Sequence, residues 1–513
     1  MIRSLRGKRL LPWLALGAVV LVLGGGAVLL LFGRGGDILN RDVKFVDTSE
    51  GPGVDARAIG RHPADDRFAW PIFGYSKGRT NHLPVRVTPR PPWQEAWAFR
   101  GRILLEFNPV LCGRSLFLLK NDGSLYALSR TTGAMRWKRR LGRLAASSPA
   151  CSHGSVYAVL LSRRSKRKAG LVVRVSARTG RTQWSRNLPS RAESSPLLDG
   201  GELFFGTENG TVYSLRARDG SVRWRAKAAG AVKGAIALDG GKLYFGDYGG
   251  KVSAIRRENG KKVWQASAGS GGLDISQSNL YSGAAVQYGR VYIGSTNGNI
   301  YSFSSSSGKL AWRKRTGDYV YASPAVGRVS GGQPTVYIGS YDGRFYALDA
   351  RTGDVRWKRG LGKKISGGAT IIGDLVWVSD LDKRTTWALD ARSGKTVWKT
   401  RRGAFHPAIS DGRRVYFSGY SSLFALDPKK RPFDRRATSI RAQKAKIAKK
   451  IDRRARLRKQ RQDRVRNRPH GHSHKRRNGR APPRCHRHKH VYTVRARRVV
   501  LVHNHCHTHI RRR

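Results

Sequence analysis

Seven histidines near the C-terminus alternate with other residues: His486, His488 and His490, then His503, His505, His507 and His509. Alternation places each set on one face of a strand, and imidazole is a common ligand for zinc, copper and nickel. The intervening stretches Val491-Tyr-Thr-Val494 and Val499-Val-Leu-Val502 are β-prone. A hairpin turning at Ala496-Arg497 would set His490 opposite His503, His488 opposite His505 and His486 opposite His507. Opposed side chains lie about 4.5–5.5 Å apart at Cβ, close enough for two imidazoles to share one ion. Cys485 and Cys506 would fall on the other face. Ala-Arg is a poor two-residue turn, and the plainer reading is compositional drift in a solvated tail.

Elsewhere the chain is poor in groups that could do chemistry. It has 100 Lys and Arg against 32 acids, a formal net charge of +68. Such a charge speaks of anionic partners and not of fold. The acids Asp219, Asp342 and Asp390 are read as sitting at outer-turn positions dictated by hairpin chemistry. Four cysteines are too few for a disulfide scaffold. Cys112 and Cys151 occupy similar points of successive repeats and could pair.

The element that organises the middle of the chain is Gly, three residues, then Trp. It recurs at Gly133–Trp137, Gly180–Trp184, Gly220–Trp224, Gly260–Trp264, Gly308–Trp312, Gly353–Trp357 and Gly394–Trp398, and Trp97 ends a copy that lacks its glycine. From Trp97 onward the spacings are 40, 47, 40, 40, 48, 45 and 41 residues, the period of a propeller blade of four short strands. Within one copy, Glu202-Leu-Phe-Phe reads as a strand. Asn209-Gly210 reads as a tight hairpin turn whose residues take positive φ, and Thr211-Val-Tyr-Ser-Leu as a half-buried strand. A sheet this small must be covered by its neighbours, so the copies stack in a ring, with each Trp plugging the gap between sheets. The expected fold is all-β: an eight-bladed propeller of four-stranded antiparallel blades. Val415-Tyr-Phe-Ser and Leu423-Phe-Ala-Leu-Asp427 have no Trp strand after them. The segment around Trp93 to Phe99 is expected to complete that last blade and remove the open edge. Glu193, before Ser194-Ser-Pro196, is placed to face the central channel.

The copy Phe345-Tyr-Ala-Leu-Asp349-Ala-Arg-Thr-Gly353-Asp-Val-Arg-Trp357 resembles the pyrroloquinoline-quinone-like repeat family, and Trp70-Pro-Ile-Phe-Gly74 with Gly78-Arg79-Thr80 resembles the segment that often opens such propellers. The resemblance covers roughly residues 68–428 and is strong evidence for fold, weak for function. It implies either a quinone-dependent alcohol or sugar dehydrogenase or a non-enzymatic scaffold like the propeller lipoprotein of outer-membrane barrel assembly. The alcohol-oxidising members commonly clamp the quinone with two adjacent cysteines, and this chain has no Cys-Cys pair. Calcium beside the quinone needs convergent oxygens, which one channel-facing Glu193 does not supply. The sequence therefore favours a scaffold over an enzyme, with no quinone expected.

Around the propeller lie segments of different composition. Residues 1–9 carry Arg3, Arg6, Lys8 and Arg9, and Leu10–Phe32 is an uncharged run of 23 residues, long enough to cross a bilayer. Positive charge stays in the cytoplasm, so the run reads as a single-pass signal anchor with everything after it extracytoplasmic. A cleaved signal peptide is the competing reading, against which stands the absence of an Ala-x-Ala site. Residues 33–67 read as a stalk, 68–428 as the propeller and 429–513 as a tail with 32 Lys or Arg and three acids, expected to be largely disordered. The basic tip Arg163-Arg-Ser-Lys-Arg-Lys168 and the polar stretch 269–279 are candidate binding loops. The topology argues against nucleic acid and for a protein partner or an anionic wall polymer.

The histidine set is directly testable. A peptide of residues 484–510 should bind zinc or nickel with a gain of β-structure near pH 7.5, and lose both near about pH 5.5 as imidazoles protonate. No structural change on adding metal would reduce the segment to a charged extension.

Overall fold

The computed structural model describes residues 36–47 and 70–429, apart from 86, 153, 163–168 and 270–277. Of the tail it describes 448–449, 451–458, 460 and the strands His486–Val494 and Arg497–His505. The apolar run 10–32, the basic tip 163–168, most of the stretch 269–279, and His507 and His509 lie outside the described residues. Among the described residues no helix is long and apolar enough to cross a membrane.

Residues up to 429 form one unit, and within it eight antiparallel sheets make up the blades. In the third blade the strands Leu197–Asp199, Glu202–Gly206, Thr211–Arg216 and Val222–Lys227 run from the innermost to the outermost position. The last blade is closed as expected. Its outer strand is Trp93–Phe99, paired antiparallel with Leu423–Pro428 so that Trp97 faces Ala425. Two blades gain a fifth strand. Ile38–Leu39 adds antiparallel to Leu310–Arg315 on the outer edge of the fifth blade. His82–Leu83 adds parallel to Thr370–Ile372 on the inner edge of the seventh. Residues 36–47, read from sequence as stalk, thus lie against the propeller.

The repeated Gly and Trp belong to one contact between neighbouring blades. The indole Nε1–H of Trp184 donates to the carbonyl of Ala217 in the next blade at 3.0 Å, and that of Trp224 to Arg257 at 2.9 Å. Trp97, Trp137, Trp264, Trp312 and Trp357 make the same bond to Arg130, Ala177, Ser305, Ala350 and Ala391. Each of these rings lies flat on the turn glycine of that next blade. A Cβ on Gly220 would sit 2.7 Å from the Trp184 ring, and the residue's φ is +73°, so both space and backbone demand glycine. Trp398 follows a different course. Its neighbour is the blade closed by the chain's two ends, which has no such turn, and it packs instead on Trp377 and Phe417 at 5.7 and 5.8 Å between ring centroids.

The hydrophobic core follows the same geometry. It divides into clusters that each span adjacent blades, such as Tyr292, Trp312, Val336 and Leu348 between the fifth and sixth. The largest joins the seventh, eighth and first across the closure, through Trp377, Tyr416 and Leu116. Cys112 and Cys151 form a disulfide between the inner strands of the first two blades, with Cα atoms 6.4 Å apart. Of the Asn209-Gly210 pair only the glycine is left-handed (φ +77°). Asn209 keeps negative φ, contrary to the sequence reading, and its side chain accepts the Thr211 N–H at 3.2 Å.

In the tail, residues 451–458 are helical and exposed, with Arg456 and Asp452 paired at 3.1 Å. The histidine strands do form a hairpin, but its register differs by two residues from the sequence reading. His486 faces His505, His488 faces His503, and His490 faces Leu501. A two-residue shift keeps the alternation along each strand, and one of the opposed histidine positions is lost.

Gly220→Ala should destabilise the propeller by about 2–4 kcal/mol, because it adds a left-handed non-glycine residue and displaces the Trp184 ring. Denaturant unfolding measures this, and a loss below about 0.5 kcal/mol would show that the contact does not hold the blades together.

Candidate functional site

Inner strands leave one edge of N–H and C=O groups facing the channel, and buried groups of this kind require partners. The segment from Trp70 to Leu83 supplies them by running along the inner edges of six blades. Leu111 donates to the Trp70 carbonyl, Cys151 to Pro71, Leu238 to Lys77, Val286 to Gly78, Val326 to Thr80 and Ile371 to Asn81. At its centre the Arg79 guanidinium, fully buried, donates to the carbonyls of Phe73, Ser195 and Ile236. Burial pulls its pKa down to about 9. The segment lies along the middle of these inner strands.

One face of the ring carries the blade-to-blade loops and the second-to-third-strand hairpins, and here the channel stays open. Its inner end is a cavity of about 40 Å³ whose walls include Phe73, Glu106, Glu193, Lys233, Tyr281 and Tyr321. These side chains share one repeat position. Glu106, Glu193, Lys233, Tyr281, Tyr321 and Ser366 each stand four residues before the inner strand of their blade. Around them Ser and Gly groups knit neighbouring blades, as in Ser148 Oγ to the Asn108 carbonyl at 2.6 Å and Ser282 Oγ to the Ala322 carbonyl at 2.9 Å.

The electrostatics of the cavity are uneven. Lys233 pairs with Glu193 at 2.7 Å and Glu208 at 3.3 Å, and Arg191 reaches Glu208 at 3.4 Å. Burial works against the Lys233 charge, but the bond and charge of Glu193, with Tyr248 and Glu208, together outweigh it and hold its pKa above the usual range. Burial raises Glu193, with Lys233 opposing. Among the described residues no hydrogen bond or ion pair reaches the Glu106 carboxyl, and burial, with the Glu193 charge, pushes its pKa to about 7. His406 stacks on Phe107 at 5.0 Å, and its Nδ1–H donates to the Glu106 carbonyl at 3.2 Å. Burial lowers its pKa to about 4, so the ring stays neutral.

From the cavity an aromatic rim extends outward. Tyr248 contacts Tyr281 (6.4 Å between centroids), Tyr281 contacts Tyr321 (5.8 Å) and Tyr321 contacts Tyr341 (4.9 Å). Tyr319 touches both Tyr321 and Tyr341 and is 48% exposed. Lys233 sits over the Tyr248 ring and Lys364 over the Tyr341 ring. The strand ends at Leu160 and Leu171, and at Ser267 and Ala285, open onto this same face.

Of the residues singled out from sequence, Glu193 does line the channel. Asp219 and Asp390 cap outer turns, accepting the N–H groups of Ser221 and Ser393 at 2.9 Å. Asp342 differs from that reading: it lies in a hairpin on the open face, where it accepts from Gly317 and Tyr346 and ties two blades together. Sequence reading passed over Glu106, Lys233, His406 and the tyrosines. Superposing the repeats on their inner strands would have found most of them, because the fourth position before the strand changes chemistry from copy to copy.

The family of outer membrane protein assembly factor BamB matches the chain over residues 90–224, 121–327, 168–400 and 297–431. The chain belongs to this family. Solved structures similar to this BamB-family propeller include BamB from Moraxella catarrhalis, 18% identical, with a TM-score of 0.53, covering 67% of this chain and 99% of that one. A quinohemoprotein alcohol dehydrogenase from Pseudomonas putida HK5 is 14% identical, with a TM-score of 0.58, covering 75% and 84%. A quinohemoprotein alcohol dehydrogenase from Comamonas testosteroni is also 14% identical, with a TM-score of 0.58, covering 74% and 83%. At these identities the likeness is one of fold. No curated protein matches the chain in sequence.

The residues of this channel mouth do not match a quinone and calcium site. Among the described residues no three His, Cys, Asp or Glu side chains converge as a metal site. The cysteines at the inner strands are 39 residues apart in sequence and bonded across two blades.

Glu106 and His406 give the propeller opposite pH responses. The folded state raises Glu106 from 4.5 to about 7, so it holds a proton the unfolded chain has lost, and its contribution to stability falls as pH rises through that window. His406 falls from 6.5 to about 4, so its contribution is present above 6.5 and lost as pH drops toward 4. Glu106→Gln should raise the melting temperature near about pH 8 and leave it unchanged near about pH 4.5. Equal shifts at both would show that Glu106 is not held protonated by the fold.

Proposed function

We propose that this BamB-family propeller is a binding or assembly scaffold on the outer side of a bacterial cell membrane, held by the apolar run Leu10–Phe32. The tyrosine rim on the open face carries the reading. It is a contiguous aromatic surface built from several loops of a rigid ring, and tyrosine at such a surface gives large contact area at low entropic cost. A protein partner engages this face, and the tail, with 32 Lys or Arg among residues 429–513, attracts anionic wall polymer or headgroups through a salt-sensitive contact. His486, His488, His490, His503 and His505, with His507 and His509 beyond them, are the candidate transition-metal ligands of that tail. Family membership supports the scaffold class, and the poor fit of quinone counts against a dehydrogenase.

Two measurements test this. Purified full chain mixed with quinone and calcium should show neither stoichiometric binding nor dye-linked oxidation of alcohols or sugars, and either result would sink the scaffold reading. Reporters fused after Asp427 should work only when active outside the cytoplasm, and a fusion active only in the cytoplasm would reverse the topology.

A further inference from the structure

We infer that the channel mouth is a receptor pocket for an organic cation, the guanidinium or ammonium head of a side chain on a partner polypeptide. The inference rests on the scaffold reading for the identity of the partner, but the chemistry of the pocket stands on its own residues.

The charge balance points to a missing positive group. Glu193 and Glu208 are answered by Lys233 and Arg191 at 2.7–3.4 Å, whereas among the described residues nothing answers Glu106. The neighbours that could do so do not. His406 is held neutral, and Lys233 is committed to the other two carboxylates. The remaining titratable groups on the wall, Tyr281 and Tyr321, have their pKa values raised by burial and stay neutral as well. This is an acidic pocket in a chain of net charge +68, so its character is local.

The walls select the kind of cation. Phe107, Tyr281 and Tyr321 line the cavity together with Glu106, and aromatic faces attract organic cations by their quadrupole. Calcium needs six to eight oxygens, and among the described residues no three His, Cys, Asp or Glu side chains converge here. A guanidinium needs one carboxylate for its fork and a flat ring for its face. The space of about 40 Å³ accommodates about three waters, the size of such a head group and not of a whole metabolite. The group bearing that head lies against the rim of Tyr248, Tyr319 and Tyr341, which continues outward from the cavity. A polypeptide chain would occupy that rim, whereas a free amine would leave it uncovered.

The probe is agmatine, which carries a guanidinium and an ammonium that keep their charge from pH 5 to 9. Calorimetric titration of the full chain near about pH 8 should show saturable binding, weakened roughly thirty-fold near about pH 5.5 as Glu106 takes up its proton. Glu106→Gln should abolish the binding and its pH dependence. That variant removes a buried charge and should fold, which its melting curve verifies. Tyr321→Ala should weaken binding by roughly tenfold through loss of the cation–π face. No saturable binding, or equal binding by Glu106→Gln, would overturn the pocket and leave the scaffold reading in place. Displacement of agmatine by stoichiometric calcium would assign the site to an inorganic ion and likewise overturn the inference. The scaffold reading itself falls only to the oxidation assay.

Discussion

An indole laid on a glycine of the next blade is the contact on which the ring depends. A four-stranded sheet of three- to seven-residue strands has two apolar faces and cannot bury either alone. Each repeat Trp except Trp398 covers the gap to its neighbour and donates its one polar hydrogen to that neighbour's backbone at 2.9–3.2 Å. The ring thereby buries a large apolar area without stranding a donor. The glycine on the other side is the counterpart of that size: a Cβ at Gly180, Gly220 or Gly260 would meet the ring at 2.7 Å. Because the hydrophobic clusters span adjacent blades, stability is shared around the circle, and the closure between Trp93–Phe99 and Leu423–Pro428 makes the array cooperative and not open-ended.

A closed ring creates a second problem at its centre. Inner strands end the sheets with unpaired backbone groups, and the channel is too narrow for free solvation. The Trp70–Leu83 segment answers this by pairing with successive inner strands, and its geometry requires left-handed backbone at Tyr75, Arg79 and Asn81 (φ between +49° and +68°). A buried guanidinium with only carbonyls for partners is expensive, and three acceptors at its donors offset the cost. The aromatic rim and the uncompensated carboxylate lie at the open channel mouth.

The distribution of charge separates the two parts of the chain. Acids are scarce, so nearly every one in the propeller has structural work: Asp219 and Asp390 cap turns, Asp427 holds Arg414 at 2.6 Å, and Asp199 holds Arg257 at 2.7 Å. Glu106 stands apart from this pattern, since burial there destabilises its charged form and no cation relieves it. Among the described residues of the tail, the helix from 451 to 458 is exposed and carries one ion pair, Arg456 with Asp452.

The repeat, its period, the number of blades and the closing strand were legible in the sequence because they rest on local spacing: a turn glycine, a Trp four residues later, and a copy with no partner at each end. The pairing of Cys112 with Cys151 was legible as a possibility from their equivalent positions in successive repeats. The register of the histidine hairpin was not, since both registers keep the same alternation and differ only in which residues oppose. The fifth strands at Ile38–Leu39 and His82–Leu83 were missed because two-residue pairings leave no periodic signal. The channel mouth depended on the tertiary structure for a plainer reason. Glu106, Glu193, Lys233, Tyr281, Tyr321 and His406 are spread over 300 residues and come from six blades, and only closure of the ring brings them to one cavity. The sequence determined that the chain makes a propeller, because each blade is a local pattern. Which side chains meet at its axis was decided by the ring, because an axis belongs to no single repeat.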